Sequence, residues 1–542
     1  MRTNIKNIVS LLVSLILTGC YADFGDINTN PNKVTSIGSE NLFHNVIGYL
    51  GKPFAGEFEY IAPMMQYTAT TNGNYNIPGN TYAIDGTAMG IYSSIWSSYS
   101  VDFMRYLNLI ETQLTEENNN TSKLAEVNII RALLLSQYAD TFGPVPYDQI
   151  AEALNGIVYP KYRSEKDVYL GTEEFKGVLD LLDESIQVLK NSTDDLFPND
   201  LFFNADREKW IKFASSILLR LSIRISDVET EVAKTYINKA ISYGLILDEI
   251  DIAKINHRPS VTGEPDYLDN SVANSLLTLK KERGYCYGAS FITALKEFNE
   301  NQIDPRLKVI AGVYDENDVY YDNYYDYEGM LNGCEMDDVE SVVERMGFDD
   351  IYTPGIGRYG FASFKKETVL NREAYYIVLG NAEVNFLLAE AVWKGLISGD
   401  AESYYLNGIK SSMRLMKYWG ESISEEEIET YIKTLPKLGE NKSMNLRNGL
   451  DEIITQKWLS MFENAMQPWC DWRRTHYPSI ITDNPNMNKL GITGNKLPGR
   501  LPYPQDESIR NKDNYDEGVL MLSNKSDDYM NDLWWAKPYF SL

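Results

Sequence analysis

Histidine and cysteine are scarce in this chain of 542 residues, which has three histidines and four cysteines. It contains no His-Glu-x-x-His, Gly-x-Ser-x-Gly or Cys-x-x-Cys motif. These absences give no support to a zinc protease, a serine nucleophile of the α/β-hydrolase type, a zinc ribbon or a thioredoxin-type redox centre. We therefore expect no catalytic residues and no organic cofactor or catalytic metal.

Basic residues are also few. The chain has 50 lysines and arginines against 77 aspartates and glutamates, which gives a formal net charge of -27. This negative balance argues against nucleic acids and other phosphate polymers as partners. It fits a solvated extracellular surface that meets a neutral or cationic ligand.

Long apolar runs are missing except at the N-terminus. Arg2 and Lys6 precede an apolar stretch over residues 8–17, and Leu17-Thr18-Gly19-Cys20 follows. This order is that of a secretory signal, and the apolar stretch is too short to span a bilayer. The ending resembles a bacterial lipobox, in which the cysteine is lipidated. We predict a signal peptide at residues 1–19 and lipidation of Cys20; an ordinary signal peptide with an incidental cysteine is the alternative.

The remaining chain, residues 20–542, is predicted to form one domain, because no Pro-, Gly- or Ser-rich linker divides it. No other apolar run reaches the roughly 18 residues that a membrane helix needs. Cys286, Cys334 and Cys470 remain after lipidation, an odd number that permits at most one disulfide. We do not expect a disulfide between Cys286 and Cys334.

Helical periodicity dominates most of the chain, with apolar residues three and four positions apart. Asp206 stands where it can cap one of these helices, and Ser424 with Glu427 forms the capping box of a short one. The longer predicted helices are 87–114, 124–138, 175–189, 210–225, 232–241, 383–393 and 401–416.

The last two of these helices form a hairpin that partly matches the tetratricopeptide repeat. Leu388, Ala389, Ala401, Tyr405 and Gly408 fall where that repeat has a leucine, two small residues, an aromatic residue and a third small residue. Small residues let two helices approach closely. Several such pairs in one chain favour a helical-repeat scaffold over unrelated helical hairpins.

Two long segments, about 64–85 and 312–360, are poor in helical period and rich in tyrosine and asparagine. Asp315 to Asp350 holds 13 acidic residues with Arg345 as its single base. Long loops in compact folds are usually functional or disordered, and disordered segments are poor in aromatic residues. Tyrosine offers a flat apolar face with a polar tip, which suits the C–H face of a sugar ring. We predict ligand-binding loops; the alternative is that these tyrosines serve the packing of the loops themselves.

Three chemical motifs in the second segment have weaker support. Gly355 to Gly360 matches Gly-x-Gly-x-x-Gly, but no predicted strand precedes it and no helix follows, so a dinucleotide site is not expected. The acid pairs Asp337/Asp338 and Asp349/Asp350 could serve glycoside hydrolysis, yet a chain with 77 acids supplies such pairs by chance. A structural calcium ion is left open, although the ligand spacing of an EF-hand is absent.

The stretch Gly449 to Pro478 combines a helical stripe with a dense cluster of indoles and charges. We predict that its helix stops at Pro468, because proline lacks the N–H that a helix interior requires. The cluster that follows could be catalytic or structural. His476 lies near but has no predicted nucleophile partner, which favours a structural corner in which Arg473 pairs with Asp471 or a more distant carboxylate. The residues assigned to this corner are Trp458, Trp469, Asp471, Trp472 and Arg473.

Seven motifs occur in order along the chain: the lipobox at Cys20, DINTNPN at 26–32, YADTFGPVPY at 138–147, AEVNFLLAEA at 382–391, QKWL at 456–459, WCDWRRT at 469–475 and RLPYP at 500–504. Together they resemble the SusD/RagB-like nutrient-binding lipoproteins of Gram-negative outer membranes. The resemblance covers essentially the whole chain after the signal peptide.

The resemblance implies a mainly α SusD-like fold, with tetratricopeptide-like helical pairs as scaffold, long irregular loops and minor β-hairpins. It implies a binding protein and not an enzyme. Members of this family capture glycans and pass them to a TonB-dependent, SusC-like outer-membrane transporter. The expected location is therefore the outer membrane, lipid-anchored and facing the cell exterior, with no nucleic-acid partner.

Ligand residues vary within that family, so those of this chain are predicted from the loops. Aromatic rings are expected to stack on the ligand, while Asn72 and Arg358 bond its hydroxyls. The predicted ligand-binding residues are Tyr67, Asn72, Tyr75, Tyr82, Trp96, Tyr324, Tyr325, Tyr327, Arg358 and Tyr359.

Three alternatives stay open. The same fold could capture peptides or another nutrient instead of glycans. It could serve as a scaffold that grips the transporter without binding a small ligand. A glycosidase would require measurable turnover.

Overall fold

The structure of the protein is a computed structural model that describes residues 37–51, 57–70, 78–82, 86–117, 120–259, 268–270, 272–273, 276, 285–314, 320–321, 327–333, 361–481 and 496–540. Most of these residues are helical. In chain order the α-helices are α1 Ser39–Tyr49, α2 Ala62–Met64, α3 Pro78–Thr81, α4 Gly86–Ser97, α5 Arg105–Glu117, α6 Thr121–Phe142, α7 Glu165–Leu170, α8 Val178–Asn191, α9 Arg207–Arg224, α10 Thr230–Tyr243, α11 Ala289–Glu297, α12 Arg306–Ile310, α13 Asn381–Trp393, α14 Ala401–Leu415, α15 Glu425–Thr434, α16 Gly449–Ser460, α17 Met466–Thr475, α18 Gln505–Arg510 and α19 Lys512–Met521.

The strands are short and few among the described residues: β1 Thr68–Thr70, β2 Ala253–Asn256, β3 Tyr285–Tyr287, β4 Ala311–Tyr314, β5 Tyr320–Tyr321, β6 Ser363–Phe364 and β7 Tyr375–Leu379. They form the antiparallel pairs β1–β3 and β2–β7 and the antiparallel sheet β5–β4–β6. Only β4 and β5 are consecutive strands of a hairpin. The other pairs join distant parts of the chain, so most strand pairing here ties loops together.

Helices packed in pairs form the scaffold. Helix α6 packs on α8, α9 on α10 and α13 on α14, as the predicted helices at these positions require. Their ends follow the capping residues in the sequence: Asp206 accepts a hydrogen bond from the Lys209 N–H at 3.2 Å, and the Ser424–Glu427 capping box is present. These features confirm the mainly α scaffold.

The hairpin of α13 and α14 illustrates why small residues matter in this scaffold. A Cβ atom added at Gly408 would lie 2.7 Å from Cε1 of Phe386, so only glycine permits this approach of the two helices. Tyr405, one turn before it, is buried with its ring centroid 6.4 Å from that of Phe386. The tetratricopeptide-like assignment of these positions therefore has a physical basis in the packing.

The long helix predicted over residues 87–114 is divided. Helices α4 and α5 are joined by a π-helical segment, Ser98–Met104, which adds a residue to each turn and so shifts the apolar stripe. Tyr99 and Phe103 within the segment are still buried. The apolar spacing correctly predicts which side of the helix is buried. It does not distinguish a continuous α-helix from one interrupted by a π-helical segment.

The prediction that Pro468 stops a helix is wrong. Helix α16 already ends at Ser460, and Pro468 is the third residue of α17. In the first turn of a helix the backbone N–H groups have no intrahelical acceptor, so proline costs no hydrogen bond there. The tryptophans and arginines that follow are consequently placed at helical spacing.

One hydrophobic core runs through the helical pairs and includes residues from Leu42 to Trp535. Among the residues that the structure describes, no helix is both long enough and apolar enough to cross a membrane. The predicted signal peptide and Cys20 lie outside the described residues.

Candidate functional site

The corner formed by α16 and α17 contains a network of buried, oppositely charged side chains that pair with one another. The Asp471 carboxylate lies 2.9 Å from Lys457 Nζ and 2.7 Å from Arg474 Nη2. Arg474 also donates to both carboxylate oxygens of Glu390, at 2.6 Å for Oε2. Burial alone would raise the pKa of Asp471, but the adjacent Lys457 and Arg474 outweigh it and lower that pKa to about 2. A carboxylate held in this ionised state is unsuited to exchange protons near neutral pH.

Arg473, in contrast, is bound by carbonyl groups and aromatic rings. Its Nη1 donates to Asp140 O at 2.6 Å and to Gly499 O at 3.0 Å. The guanidinium lies 3.7 Å from the ring centroid of Trp469 and 4.8 Å from that of Trp535. The prediction that Arg473 pairs with Asp471 is therefore wrong: Arg474 forms that pair, because residues i and i+3 share a face of the helix. No ion pair of Arg473 with any other carboxylate occurs within the described part of the chain.

Asp140 links this corner to the rest of the scaffold. Its side chain accepts hydrogen bonds from Tyr169 Oη at 2.9 Å, from Trp535 Nε1 at 2.9 Å and from Arg224. All its neighbours here are fully or almost fully buried. In the sequence, Asp140 stands out only as part of the motif at 138–147. A single sequence does not indicate which distant residues its side chain bonds.

The indoles of the corner are anchored by their N–H groups. Trp469 donates to Pro498 O at 2.9 Å and Trp472 to Ile481 O at 3.2 Å. His476 packs against Trp472 with ring centroids 5.2 Å apart. The two indole N–H groups and the side chains of Asp471, Arg473 and Arg474 thus all have structural partners, and the arrangement favours a role in holding the fold over one in catalysis.

Trp458 connects the corner to one of the predicted ligand residues. Its Nε1 donates to Met65 O at 3.2 Å, and the Tyr67 hydroxyl donates to Trp458 O at 2.6 Å. The two rings are stacked with centroids 5.1 Å apart. Tyr67 has no exposed surface, so it is part of the core and offers no face to a ligand.

Three further predicted ligand residues also lie in the core. Tyr82, Trp96 and Tyr327 are 1%, 7% and 1% exposed. Trp96 is enclosed by other rings, with Tyr138 and Phe142 at centroid distances of 4.8 and 5.0 Å. An amphipathic aromatic residue suits both a core and a binding surface, and at these positions the structure places it in the core. We do not retain these residues, or Tyr67, in the candidate site.

The other six predicted ligand residues lie outside the described residues: Asn72, Tyr75, Tyr324, Tyr325, Arg358 and Tyr359. Their chain neighbours are described, however, and those neighbours come together. We call this assembly the root cluster; it consists of β1, α3, strands β3 to β6 and residues 327–333.

Strand pairing and one asparagine hold the root cluster together. Thr68 to Thr70 pair with Tyr285 to Tyr287 in the β1–β3 ladder. Asn332, which is 3% exposed, donates through Nδ2 to Thr68 O at 2.7 Å, Pro63 O at 3.1 Å and Asn80 Oδ1 at 3.0 Å. An amide of the second predicted loop is thereby fixed to the base of the first.

Further backbone bonds bring the two ends of the second loop together. Met330 N–H donates to Tyr287 O at 3.0 Å, and Ala362 N–H donates to Glu328 O at 2.8 Å. Gly288 is required at this crossing, because an added Cβ would lie 2.3 Å from Gln66 O. The residues on either side of segments 71–77, 322–326 and 334–360 therefore belong to one cluster, and all six remaining ligand residues are on those segments.

Sequence reasoning found the two loops but not what joins them. Asn332 and Gly288 were not singled out, although Asn332-Gly333 stands inside the predicted loop. An asparagine before a glycine predicts a turn. The neighbouring sequence does not indicate that the Asn332 side chain bonds residues more than 250 positions away.

A small aromatic chamber adjoins the root cluster. Phe58, Tyr287, Phe364 and Phe462 contribute to its walls, together with the side chain of Glu463. Burial raises the pKa of Glu463 to about 8, against a hydrogen bond with Trp419 that favours the ionised form. At neutral pH this carboxyl group is mainly protonated, which is the form that apolar surroundings favour.

Metal ligands are not gathered anywhere in the described part of the chain: no group of three or more histidine, cysteine, aspartate or glutamate side chains there could hold a metal ion. Cys286 and Cys470 are buried free thiols, and Cys334 lies outside the described residues. Most of the acidic segment in which a calcium ion was left open lies outside the described residues.

Comparison with known proteins places the chain among outer-membrane binding proteins. The model of the SusD-like family described as "Starch-binding associating with outer membrane" matches residues 31–504. A search of curated proteins found no match. The structure is similar to that of a chitin-binding protein, with a TM-score of 0.74 and 22% sequence identity over 92% of this chain and 100% of the other.

Two further solved structures have similar folds. A SusD-like protein from Bacteroides thetaiotaomicron gives a TM-score of 0.69 with 22% identity, over 92% of this chain and 99% of its own. A SusD homolog from Bacteroides uniformis gives 0.70 with 22% identity, over 93% and 100%. At this level of identity the structural matches establish the fold, and the family assignment comes from the family model.

Proposed function

This chain belongs to the SusD-like family of starch-binding proteins that associate with the outer membrane, and on that premise we propose that it binds glycans at the cell surface. We further propose that it passes them to a TonB-dependent, SusC-like transporter without chemical turnover. The observation that carries the proposal is the family match over residues 31–504. The whole-length similarity to a chitin-binding protein supports the same ligand class.

We place the ligand on the segments that leave the root cluster. Asn72 and Tyr75 belong to the first, Tyr324 and Tyr325 to the second, and Arg358 with Tyr359 to the third. Tyrosine rings supply stacking faces, while the amide and the guanidinium supply donors for sugar hydroxyls. Each stacked ring contributes about 0.5–1.5 kcal/mol beyond the area it buries, so a single sugar should bind weakly and a longer chain more tightly.

The net charge of the chain agrees with such a ligand. A formal charge of -27 disfavours sulfated and phosphorylated polymers, because they would be repelled over the whole surface. Neutral oligosaccharides are not subject to this repulsion. We therefore propose neutral glycans as the substrate class.

Binding can be tested on the protein that begins at Tyr21, using a glycan array followed by calorimetry with the best ligand. We expect Tyr75→Ala and Tyr325→Ala to weaken binding by about tenfold each, as the loss of one stacked ring would. Tyr159→Ala is the matched control, because Tyr159 is 66% exposed and far in sequence from these segments. Unchanged affinity in both loop variants would exclude this site.

The same protein separates the alternative functions. Binding to a peptide library, with none to the glycan array, would favour a peptide-capturing member of the family. Release of reducing sugars from a polysaccharide would indicate a glycosidase. Binding of neither ligand class, with retention on the transporter, would favour the scaffold.

The proposed membrane anchor and transporter partner must be tested in intact cells and their membranes. We propose that Cys20 carries the lipid and that the protein faces outward. Labelling with an alkyne palmitate should be lost in Cys20→Ala, and external protease should digest the protein on whole cells. Purification from outer membranes in mild detergent should recover a TonB-dependent transporter with the wild-type protein; its absence would contradict the delivery step.

A further inference from the structure

A second groove lies on the helical scaffold, between the hairpin of α13 and α14 and the segment that precedes β2. Its volume is about 440 Å³. It shares no described residue with the root cluster. Its polar lining consists of three asparagines, one tyrosine, one serine, two acids and one arginine: Asn381, Asn385, Asn407, Tyr404, Ser411, Asp248, Glu249 and Arg414.

Helical spacing explains why these polar groups face one another. Asn381 and Asn385 are four residues apart at the start of α13, and Tyr404, Asn407 and Ser411 follow at intervals of three and four along α14. Residues at these intervals share a face of a helix. The hairpin thus presents a row of amides and hydroxyls beside one half-buried aromatic ring.

Asn381 carries the observation that points to a ligand. This residue is only 6% exposed. Its Nδ2 donates to Ser411 Oγ at 3.3 Å and to Leu247 O at 3.4 Å. Its Oδ1 atom is buried and has no hydrogen-bond partner among the described residues. A buried acceptor without a donor is costly, and a ligand hydroxyl entering the groove would supply the donor.

Another polar groove of the scaffold lacks this feature. There Asn108 donates to Glu152 Oε1 at 2.8 Å, and Arg131 pairs with Glu111 at 2.6 Å. Its charged and amide groups bond one another and leave little for a ligand. The groove of Asn381 differs from it, because one of its lining residues keeps a buried acceptor for an external hydrogen-bond donor.

The chemistry of the groove selects a neutral ligand. Arg414 is already paired with both oxygens of Glu425, at 2.8 and 2.7 Å, so it does not attract an anion. Amides can donate and accept at once, and the ring of Tyr404 offers an apolar face. We propose that this groove is a second glycan-binding site, which takes a short stretch of a neutral, polyhydroxylated chain.

This inference rests on the proposed glycan binding and adds a second site on the same molecule. A glycan that reached both sites would be held by two contacts, and the second contact would be effectively intramolecular. Short oligosaccharides would occupy the two sites independently.

Calorimetry with maltoheptaose, chitohexaose and the best array ligand tests the second site. We expect two bound oligosaccharides per wild-type protein and one in Asn407→Ala or in Tyr404→Ala, with affinity at the lost site reduced about tenfold or more. Asn407 is exposed, so its replacement should leave the melting temperature unchanged. Asn238→Ala, on the exposed face of α10, is the control and should keep both sites.

The outcomes separate the two proposals. A single bound oligosaccharide in the wild type that is unaffected by Asn407→Ala and Tyr404→Ala but abolished by Tyr75→Ala would overturn the second site and leave glycan binding intact. Loss of one site only in the groove variants supports the inference. A wild-type protein that binds none of these glycans would overturn glycan binding and the second site together.

Discussion

At the scale of single residues, the buried charges of the α16–α17 corner form a closed set. Arg474 serves two carboxylates, Asp471 and Glu390, and all three side chains are at most 4% exposed. Such a set contributes little net stability relative to a well-packed apolar core, but removal of one member leaves its partners charged and buried with fewer counter-ions. Without Arg474, Asp471 would keep Lys457 as its cation. The corner is therefore sensitive to substitution at each position.

Arg474→Met tests this dependence. We expect the free energy of unfolding to fall by roughly 3–5 kcal/mol, because Asp471 and Glu390 would lose their shared cation. Chemical denaturation of the protein from Tyr21 onward measures the change. Arg510→Met is the matched control: its side chain is 78% exposed, and its ion pair with Asp506 should contribute almost nothing. Equal effects of the two substitutions would contradict the importance of burial.

Trp472 and Arg473 provide a second residue-level prediction. Trp472→Ala removes a buried ring of the core, and Arg473→Ala removes the donors to Asp140 O and Gly499 O. Both should lower the melting temperature, since large-to-small changes of this kind cost about 3–5 kcal/mol. The fraction that remains folded should bind its ligand as the wild type does. Loss of binding at undiminished stability would assign the corner to the ligand site instead.

The arginines also indicate what a sequence can give at this scale. The residues of the corner were found because two indoles, a carboxylate and two guanidiniums occur within six positions. The prediction for the partner of Asp471 is wrong because it places a helix end at Pro468, where the structure has the first turn of α17. With the segment helical, the spacing of three between Asp471 and Arg474 would have indicated the pair. The bonds of Arg473 to Asp140 and Gly499 depend on tertiary packing and have no local signal.

At the scale of elements, the side chain of Asn332 adds three hydrogen bonds to the strand pairing and backbone bonds that hold the root cluster together. Asn332→Ala should loosen the contact between the two loop bases without unfolding the scaffold, because its Nδ2 bonds Thr68, Pro63 and Asn80, none of which lies in a helical pair. We expect faster amide exchange at 67–70 and 327–333 and a loss of about 1–3 kcal/mol of stability, the cost of leaving buried acceptors without a donor. Hydrogen–deuterium exchange with mass spectrometry measures the first, and chemical denaturation the second.

The proposed site adds a functional measurement to this variant. If the loops bind the ligand together, Asn332→Ala should also lower glycan affinity, whereas Asn238→Ala should change neither exchange nor affinity. Unaltered exchange at 67–70 would indicate that the β1–β3 ladder alone fixes the first loop, and the role assigned to Asn332 would be wrong.

Elements were predicted best where their signals are local. Asp206, Ser424 and the stripes of α6, α9, α13 and α14 mark helices whose caps and faces are set by neighbours within a few residues. The β1–β3 ladder joins Ala69 to Cys286. Strands of three residues are too short for their sequence pattern to predict a partner so far along the chain. For the same reason the loops could be predicted, but not their common base.

At the scale of the whole molecule, the ordered motifs indicate the family and the helical architecture, while burial decides which polar and aromatic groups face inward. Of the 38 tyrosines, Tyr67, Tyr82 and Tyr327 were assigned to the ligand and belong to the core. Composition cannot make this distinction, because a tyrosine ring is equally suited to both environments. It also cannot reveal carboxyl groups whose surroundings keep them protonated.

Four such carboxyl groups contribute to the dependence of stability on pH, and for one of them, Glu126, burial raises the pKa well above 4.5. Burial raises the pKa of Glu463 to about 8 and the pKa values of Glu165 and Glu452 to about 7, from 4.5. Between pH 4.5 and these values the folded protein binds protons that the unfolded chain has lost, so stability falls as pH rises. Asp471 acts in the opposite sense only between pH 3.8 and about 2, and so does not offset this fall.

We therefore expect the free energy of unfolding to decrease from pH 5 to pH 8, as measured by chemical denaturation in buffers of equal ionic strength. Glu463→Gln should reduce that slope, because glutamine retains the shape of the protonated acid and has no proton to lose. The variant should be more stable than the wild type at pH 8 and nearly equal to it at pH 5. Glu517→Gln, a substitution on exposed α19, should shift stability little at either pH. A Glu463→Gln variant with an unchanged slope would show that Glu463 does not keep its proton in the folded protein. A wild type whose stability rises from pH 5 to pH 8 would contradict the net effect assigned to these carboxyl groups.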